Sequence, residues 1–215
     1  APGVKIVQMV DDLFGEVPEK HPGNHFQTRA GHQRMMQALT QSDRMIVTTQ
    51  PLRDHYKRYV SDVRIVPNAL DKQWLNLSKT PQKRSRLRVG WVGAGQHHGD
   101  LEMIAEVVRE LVHEVDWVFM GMSTDAIKPL LKEFHSFVSI ADYPKKMAEL
   151  DLDIAIAPLE DNIFNRCKSN LRLLEYGAMG WPVVCSDVYP FRTDDPPVIR
   201  VTNKRSDWVD AIRSL

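Results

Sequence analysis

Short apolar segments alternate with amphipathic ones along the whole chain, and this alternation constrains the fold more than any other feature. The apolar segments predict strands at residues 4–10, 44–49, 63–66, 87–92, 116–120, 137–140, 153–158, 182–185 and 198–201. The amphipathic segments predict helices over residues 25–42, 51–59, 100–112, 125–133, 143–150, 169–179 and from Ser206 to the end. Such alternation is typical of the α/β class, in which parallel sheets carry helices on both faces.

A polar, basic stretch at residues 76–86 (NLSKTPQKRSR) divides the alternation into two blocks. We predict that residues 1–75 belong to one Rossmann-like domain, that residues 76–86 form a linker, and that residues 87–215 form a second such domain. The three strands of the first block would leave sheet edges uncovered. We therefore expect this block to be the C-terminal part of an incomplete domain.

Composition excludes several classes of function. The 215 residues include 28 Lys and Arg against 28 Asp and Glu, so the chain lacks a basic surplus and we expect no nucleic-acid partner. No apolar run approaches the ~20 residues of a transmembrane helix. Two cysteines supply no disulfide framework, and residues 1–5 show no signal-peptide pattern, so we expect a soluble cytoplasmic protein.

A glycine-rich loop at residues 93–99 (GAGQHHG) follows the strand predicted at residues 87–92. Ligands of open parallel sheets bind at this end of the strands, and glycines let the backbone approach a phosphate closely. The dinucleotide fingerprint is not met, because His98 stands in place of its third glycine. We expect no metal site at His97 and His98. The alternative is an ordinary turn into a helix capped by Asp100.

A second candidate site is the segment Lys168-Ser169-Asn170, which opens the helix predicted over residues 169–179. A cation at a helix N-terminus opposes the helix dipole, and a bound phosphate would resolve this conflict. Glu175, further along the helix, offers a carboxylate that can accept hydrogen bonds from a sugar diol. Taken singly, Lys168 and Glu175 are each more typical of a solvated helix surface.

Two adjacent carboxylates, Asp11 and Asp12, end the first predicted strand. They are suited to positioning or deprotonating a hydroxyl group, and they are equally typical of a solvated turn. Pro67-Asn68 ends the third predicted strand in the same way, where a simple turn is the plainest interpretation.

Residues 168–187 (KSNLRLLEYGAMGWPVVCSD) resemble the donor-binding motif of GT-B glycosyltransferases, most closely glycosyltransferase family four, in a Lys-Ser variant. The matching positions are Glu175, Ala178, Gly180, Pro182, Val183, Val184 and Ser186. Residues 67–71 (PNALD) resemble the family's interdomain segment, and residues 88–93 (RVGWVG) resemble the start of its second domain. The resemblance implies a GT-B-like fold of two Rossmann-like domains, by which standard the N-terminal one here is incomplete.

The resemblance also implies how a nucleotide-sugar donor would be held. Lys168 would bind the diphosphate and stabilise the leaving group, and Glu175 would bind the ribose hydroxyls. The remaining residues expected to contact the phosphates or the sugar are Gly93, Ala94, Gly95, Gln96, His97, Ser169 and Asn170.

The reacting groups are implied in the same way. Asp11 and Asp12 would face the acceptor or the transferred sugar, and with Lys168 they form the expected catalytic set. One position departs from the family, since Cys167 occupies the place of a glutamate that lies near the transferred sugar.

The implied activity is transfer of a sugar from a nucleotide-diphosphate donor to a glycan, a lipid-linked acceptor or another hydroxyl, with retention of configuration. It implies a role in cell-surface polysaccharide biosynthesis, no cofactor and no essential metal, and peripheral membrane contact is compatible with it. Two alternatives stay open. The first is a non-catalytic GT-B-like module or fragment that binds a nucleotide or glycan. The second is a nucleotide-sugar epimerase of the same fold.

Overall fold

A computed structural model of the protein describes residues 3–18, 29–77, 82–193 and 198–215, which form two parallel sheets. The first sheet has the order β1-β2-β3, with strands β1 (Val7–Val10), β2 (Arg44–Val47) and β3 (Val63–Ile65). Two helices accompany it, α1 (Arg29–Thr40) and α2 (Gln50–Tyr56). The side chain of Thr49 caps α2, and Pro51 lies in its first turn, where a missing N–H costs nothing.

The second sheet has six strands and carries most of the molecule. Its strands are β4 (Arg88–Val92), β5 (Asp116–Gly121), β6 (Glu133–Ser136), β7 (Ile154–Ala157), β8 (Val183–Ser186) and β9 (Val198–Val201). Its helices are α3 (His98–Met103), α4 (Ala105–Leu111), α5 (Tyr143–Glu149), α6 (Ile163–Arg166), α7 (Leu171–Ala178) and α8 (Arg205–Arg213). The α/β class expected from the sequence is confirmed.

The order of the second sheet, β6-β5-β4-β7-β8-β9, determines where a ligand can bind. Strand β4 pairs with β5 on one side and with β7 on the other, in both cases in parallel. The connections after β4 and β7 therefore run in opposite directions, and they leave a crevice at the carboxyl ends of these two strands. The glycine-rich loop follows β4, and the segment that contains Lys168 follows β7.

Apolar residues cover both faces of the second sheet. One face packs against α3, α4 and α8 around Trp117 and Trp208, and the other packs against α5 and α7 around Leu152 and Tyr176. All four residues of β7 (IAIA) are buried, as expected of a central strand in a parallel sheet that is covered on both faces.

The short helix α6 connects the two sheets. Phe164 on α6 and the following Cys167 are buried in the core of the first sheet, together with Leu13, Leu52 and Tyr56. Two side chains of the second block therefore belong to the hydrophobic core of the first. Sequence patterning missed α6, because four residues are too few to show a helical period.

The stretch expected to be a linker is partly fixed in place. Residues 78–81 lie outside the described residues, but Arg84 forms salt bridges with Asp151 and Asp153. Arg86 donates hydrogen bonds to the carbonyl oxygens of Val112 (2.6 Å) and Val115 (2.5 Å). Residues 84–86 are therefore anchored beside the amino ends of β5 and β7.

Two predicted elements are wrong. Instead of a helix over residues 125–133, a single 3₁₀ turn forms at Lys128–Leu130, and strand β6 covers Glu133–Ser136 rather than residues 137–140. A longer helix would remove Glu133 from its pairing with Val118 and from its salt bridge with Arg88. The predicted helix over residues 100–112 begins at His98 and is interrupted at Ile104. The predicted start of α1, at residues 25–28, lies outside the described residues.

No helix in the described parts of the chain combines the length and the apolar character that crossing a membrane requires.

Candidate functional site

A cleft of about 290 Å³ opens at the carboxyl ends of β4 and β7, between the two sheets. We call it the central cleft. From the first sheet it is lined by Asp11, Asp12 and Asn68. From the second sheet it is lined by Trp91, Gly93, Ala94, Gln96, His97, Phe137, Tyr143, Ala157, Pro158, Leu159, Lys168, Ser169, Leu171, Arg172, Glu175 and Phe191.

Lys168 joins the two walls of the central cleft. Its Nζ lies 3.5 Å from Oδ1 of Asp12 and 4.6 Å from the centre of the Phe164 ring. Only 14% of the lysine side chain is exposed, so its charge acts in a partly desolvated environment. Coulomb interactions are stronger there than on an open surface, which suits Lys168 to binding an anion.

Hydrogen bonds beside Lys168 hold the two blocks together. The amide Nδ2 of Asn68 donates to Oγ of Ser169 at 2.8 Å. The hydroxyl of Thr49 donates to the carbonyl oxygen of Cys167 at 2.8 Å. The segment that precedes α7 is therefore positioned by residues that follow β2 and β3. Asn68 does more than form the simple turn expected from the sequence, because its side chain bonds Ser169.

Glu175 lies on α7 with its carboxylate at the cleft. It is 9% exposed, and its Oε2 accepts a hydrogen bond from the Tyr143 hydroxyl at 3.2 Å. Burial raises the pKa of Glu175, although the charge of Arg172 and the Tyr143 hydrogen bond oppose this effect. A buried carboxylate with one donor keeps lone pairs to offer to ligand hydroxyls.

Arg172, which sequence reasoning did not single out, also lines the central cleft. Its guanidinium carbon lies 5.7 Å from the ring centres of both Trp91 and Tyr176. The buried atom Nη1 has no hydrogen-bond partner among the described residues. An unsatisfied buried guanidinium N–H is costly, and an anionic ligand in the cleft would satisfy it.

The loop after β4 packs tightly against the end of β5. The backbone N–H of Gly93 donates to the carbonyl oxygen of Met120 at 3.0 Å. Gly121, which follows Met120 at the end of β5, has φ of +97°. A Cβ at residue 121 would collide with the carbonyl oxygen of Gly93. Glycine is therefore required at residue 121 for conformational and steric reasons, and it fixes the path of the loop.

Asp100 is not the helix cap that the alternative interpretation of the glycine-rich loop required, because α3 already begins at His98. Its carboxylate is 3% exposed and lies 2.7 Å from Nδ1 of His97. The other oxygen of this carboxylate, Oδ1, accepts hydrogen bonds from the backbone N–H of Glu160 and from Nδ2 of Asn165, which both follow β7. The neighbouring His98 instead faces Glu102 at 3.6 Å, a carboxylate four residues along the helix that sequence reasoning overlooked.

Cys167 lies beside the cleft but does not line it. Its side chain is 1% exposed within the core of the first sheet, and burial, with a smaller effect of Asp12, raises its pKa to about 11. The thiol is therefore neutral and apolar, and it offers no charge where the family resemblance places a glutamate.

Most of the predicted site residues meet at the central cleft. These are Asp11, Asp12, Gly93, Ala94, Gln96, His97, Lys168, Ser169 and Glu175. Gly95 and Asn170 are next to them in the chain but do not line the cleft. Within the described residues, no group of three or more His, Cys, Asp and Glu side chains is arranged to hold a metal ion.

Comparison with solved structures finds a similar fold in several glycosyltransferases. HepE of Anabaena, solved with UDP and glucose, is 12% identical, and the match covers 98% of this chain and 61% of HepE with a TM-score of 0.64. A UDP-forming trehalose-phosphate synthase from Burkholderia vietnamiensis is 11% identical, with 97% and 60% covered and a TM-score of 0.64. Sucrose-phosphate synthase from Thermosynechococcus elongatus is 12% identical, with 97% and 57% covered and a TM-score of 0.64.

These comparisons identify the class of fold, which is that of the GT-B glycosyltransferases. The chain spans about 60% of the length of the structures that it matches. No family model and no curated protein sequence shows a significant match.

Proposed function

We propose that this chain is the donor-binding part, with a portion of the acceptor side, of a glycosyltransferase that uses a nucleotide-diphosphate sugar. One observation carries the proposal. The central cleft brings two cations, Lys168 and Arg172, and the buried carboxylate of Glu175 to face Asp12 of the other sheet. Residues 1–75 would be the C-terminal part of the acceptor-side domain and residues 87–215 the donor domain, joined by residues 76–86.

The donor is held by complementary charge. Lys168 and Arg172 bind the diphosphate and stabilise the charge that develops on the leaving group, which is an electrostatic form of catalysis. Glu175 accepts hydrogen bonds from the ribose hydroxyls. UDP is the first nucleotide to test, because HepE was solved with UDP and with UDP-glucose. The assignment to family four with a Lys-Ser motif belongs to this proposal.

The two cations also support transfer without an essential metal or other cofactor. Metal ions in phosphoryl sites neutralise phosphate charge, and here protein groups supply that charge. Transfer in the presence of a chelator is therefore expected to equal transfer in added Mg²⁺.

The acceptor is proposed to be a glycan or a lipid-linked glycan of a cell-surface polysaccharide, bound at Asp11 and Asp12. Carboxylates at this position can orient the attacking hydroxyl. We propose retention of configuration, a cytoplasmic location, peripheral contact with membrane when the acceptor is lipid-linked, and no nucleic-acid partner.

A thermal-shift screen of nucleotides and nucleotide sugars tests the proposal, because a ligand that binds the folded state raises its Tm. We expect a nucleoside diphosphate and the matching nucleotide sugar to stabilise the protein, and nucleosides without phosphate to have little effect. Glu175→Ala and Lys168→Ala should each remove the shift. The proposal fails if no nucleotide shifts Tm, or if calorimetry gives unaltered affinities for both variants.

One observation favours a second function, that of a non-catalytic module that binds a nucleotide or glycan. Cys167 is buried and neutral at the position where the family carries a glutamate. Retained nucleotide binding with neither transfer nor hydrolysis of any donor would support the module. Interconversion of a nucleotide sugar without transfer would instead support an epimerase.

A further inference from the structure

The carboxylate of Asp100 is surrounded by hydrogen-bond donors. Its Oδ1 accepts from the backbone N–H of Glu160 at 2.7 Å and from Nδ2 of Asn165 at 3.0 Å. Its Oδ2 lies 2.7 Å from Nδ1 of His97. A carboxylate that accepts two N–H donors on one oxygen has no proton to give to the ring. Nδ1 of His97 must therefore carry the proton and donate it.

This arrangement leaves Nε2 as the polar atom that the ring can offer to a ligand. The imidazole is 12% exposed, lines the central cleft and packs edge-on against Trp91 with ring centres 5.9 Å apart. Burial, then the charges of Arg172 and Lys168, lower the pKa of His97, while the Asp100 hydrogen bond raises it. The lowered pKa keeps the ring neutral, so Nε2 carries a lone pair and no proton.

We propose that His97 accepts a hydrogen bond from a hydroxyl group of the transferred sugar, and that Asp100 is a positioning residue that sets the tautomer of the ring. This inference rests on the proposed function. A lone pair at Nε2 repels the oxygens of an ionised diphosphate, which have no proton to share. A sugar hydroxyl does have one. In this proposal His97 binds the sugar, while Lys168 and Arg172 bind the phosphates.

The position of Asp100 also links two loops. It lies on α3, just after the glycine-rich loop, and its partners Glu160 and Asn165 lie between β7 and the Lys168 segment. One carboxylate therefore fixes His97 relative to the segment that carries Lys168. The distance between the sugar contact and the phosphate contact is set by this buried group.

Nitrogen NMR of the protein tests the tautomer directly. We expect His97, assigned with His97→Gln, to show a protonated Nδ1 and a non-protonated Nε2 at neutral pH. In Asp100→Asn, the amide oxygen keeps the two donors on Oδ1, so the NH₂ group faces His97 and moves the ring proton to Nε2. A protonated Nε2 in the unaltered protein would overturn the inference.

Calorimetry with UDP and UDP-glucose tests the role in sugar binding. We expect Asp100→Asn and His97→Gln to weaken UDP-glucose by about three- to tenfold, the effect of one neutral hydrogen bond, and UDP by less than about twofold. Glu102→Gln, on the same helix, should change neither affinity. Equal weakening of UDP and UDP-glucose would show a merely structural role and would contradict the inference.

The same measurements separate this inference from the proposed function. If the unaltered protein binds neither UDP nor UDP-glucose, the proposed use of a uridine donor fails, and the NMR result still decides whether Asp100 sets the tautomer. If both ligands bind and Asp100→Asn loses affinity for UDP-glucose alone, both hold.

Discussion

Nζ of Lys168 lies 3.5 Å from Oδ1 of Asp12, although 156 residues separate them in the chain. The contact crosses the central cleft and joins the two sheets. In the proposed enzyme, the donor diphosphate competes with Asp12 for the lysine. Donor binding would then free the carboxylate to face the acceptor, and this competition gives the first two predictions.

Replacing Lys168 by methionine should weaken UDP binding by about tenfold or more. The change keeps the apolar stem that packs near Phe164 and removes the charge, and hydrogen bonds to charged groups are worth about 1.5–3 kcal/mol. Calorimetry measures the effect, with Lys145→Met as the control, since Lys145 is exposed and does not line the cleft. Equal affinities for the two variants would contradict the assignment of Lys168.

Replacing Asp12 by asparagine should have the opposite effect on binding. It removes a negative charge beside the diphosphate site, so UDP should bind about two- to fivefold more tightly, as expected when a like charge in a partly screened site is neutralised. Sugar transfer should fall at the same time. Weaker UDP binding would show that Asp12 positions Lys168 rather than competing for it.

Glu175→Gln should stabilise the protein while weakening UDP binding by about tenfold. Burial raises the folded-state pKa of Glu175, so the folded protein takes up this proton more readily than the unfolded chain. The free energy of unfolding therefore falls as pH rises from the ordinary carboxyl pKa through the raised one. Glutamine removes this loss, so Tm should be higher than in the unaltered protein at neutral pH and similar to it near pH 4.

The matched control is Tyr143→Phe, which removes the hydroxyl that donates to Glu175 and keeps the ring that stacks on Phe137. It should raise the pKa of Glu175 further and leave most of the UDP affinity. A Glu175→Gln variant that is less stable than the unaltered protein at neutral pH would refute the role assigned to burial.

The sequence alone indicated Lys168 and Glu175, because both lie in one short motif, Lys168 just before α7 and Glu175 on it. It could not indicate Arg172 or the hydrogen-bond partners of Asp100. Arg172 is half-buried with its guanidinium beside the Trp91 ring, and Asp100 is bound by Glu160 and Asn165, which are 60 and 65 residues away. The burial of the Arg172 guanidinium and the hydrogen bonds of Asp100 arise only when segments that are distant in the chain meet in the fold.

Strand β6 shows the same limit for secondary structure. Its sequence EFHS is mostly polar, and it resembles neither an apolar strand nor a helix end. It is a strand because it pairs with β5 and because Glu133 bonds Arg88 on β4, with an oxygen–nitrogen distance of 2.6 Å. The central strands, such as β7 and β8, were predictable because their own residues are apolar enough to require burial.

Replacing Arg172 by lysine should weaken UDP binding although the charge is kept. Lysine cannot reproduce the planar set of N–H donors that places Nη1 in the buried wall of the cleft. We expect a loss of about tenfold by calorimetry. Arg166→Lys, whose arginine pairs with Asp161 on the surface, should bind UDP normally. Full affinity in Arg172→Lys would show that the diphosphate does not reach Nη1.

Gly121→Ala should both destabilise the protein and displace the glycine-rich loop. The residue has φ of +97°, and a Cβ would meet the carbonyl oxygen of Gly93. Backbone strain alone costs about 1–2 kcal/mol, and the collision adds to it, so we expect a loss of about 2 kcal/mol or more in the free energy of unfolding.

Gly15→Ala separates the two contributions. Gly15 has φ of +105°, but a Cβ there would approach only Met35, at 4.0 Å. This variant should therefore show the strain without the collision, and it should leave UDP affinity unaltered. Denaturant unfolding gives the two free energies, and calorimetry shows whether the loop has moved. If Gly121→Ala costs no more than Gly15→Ala and binds UDP normally, the contact of Gly121 with Gly93 does not hold the loop in its binding conformation.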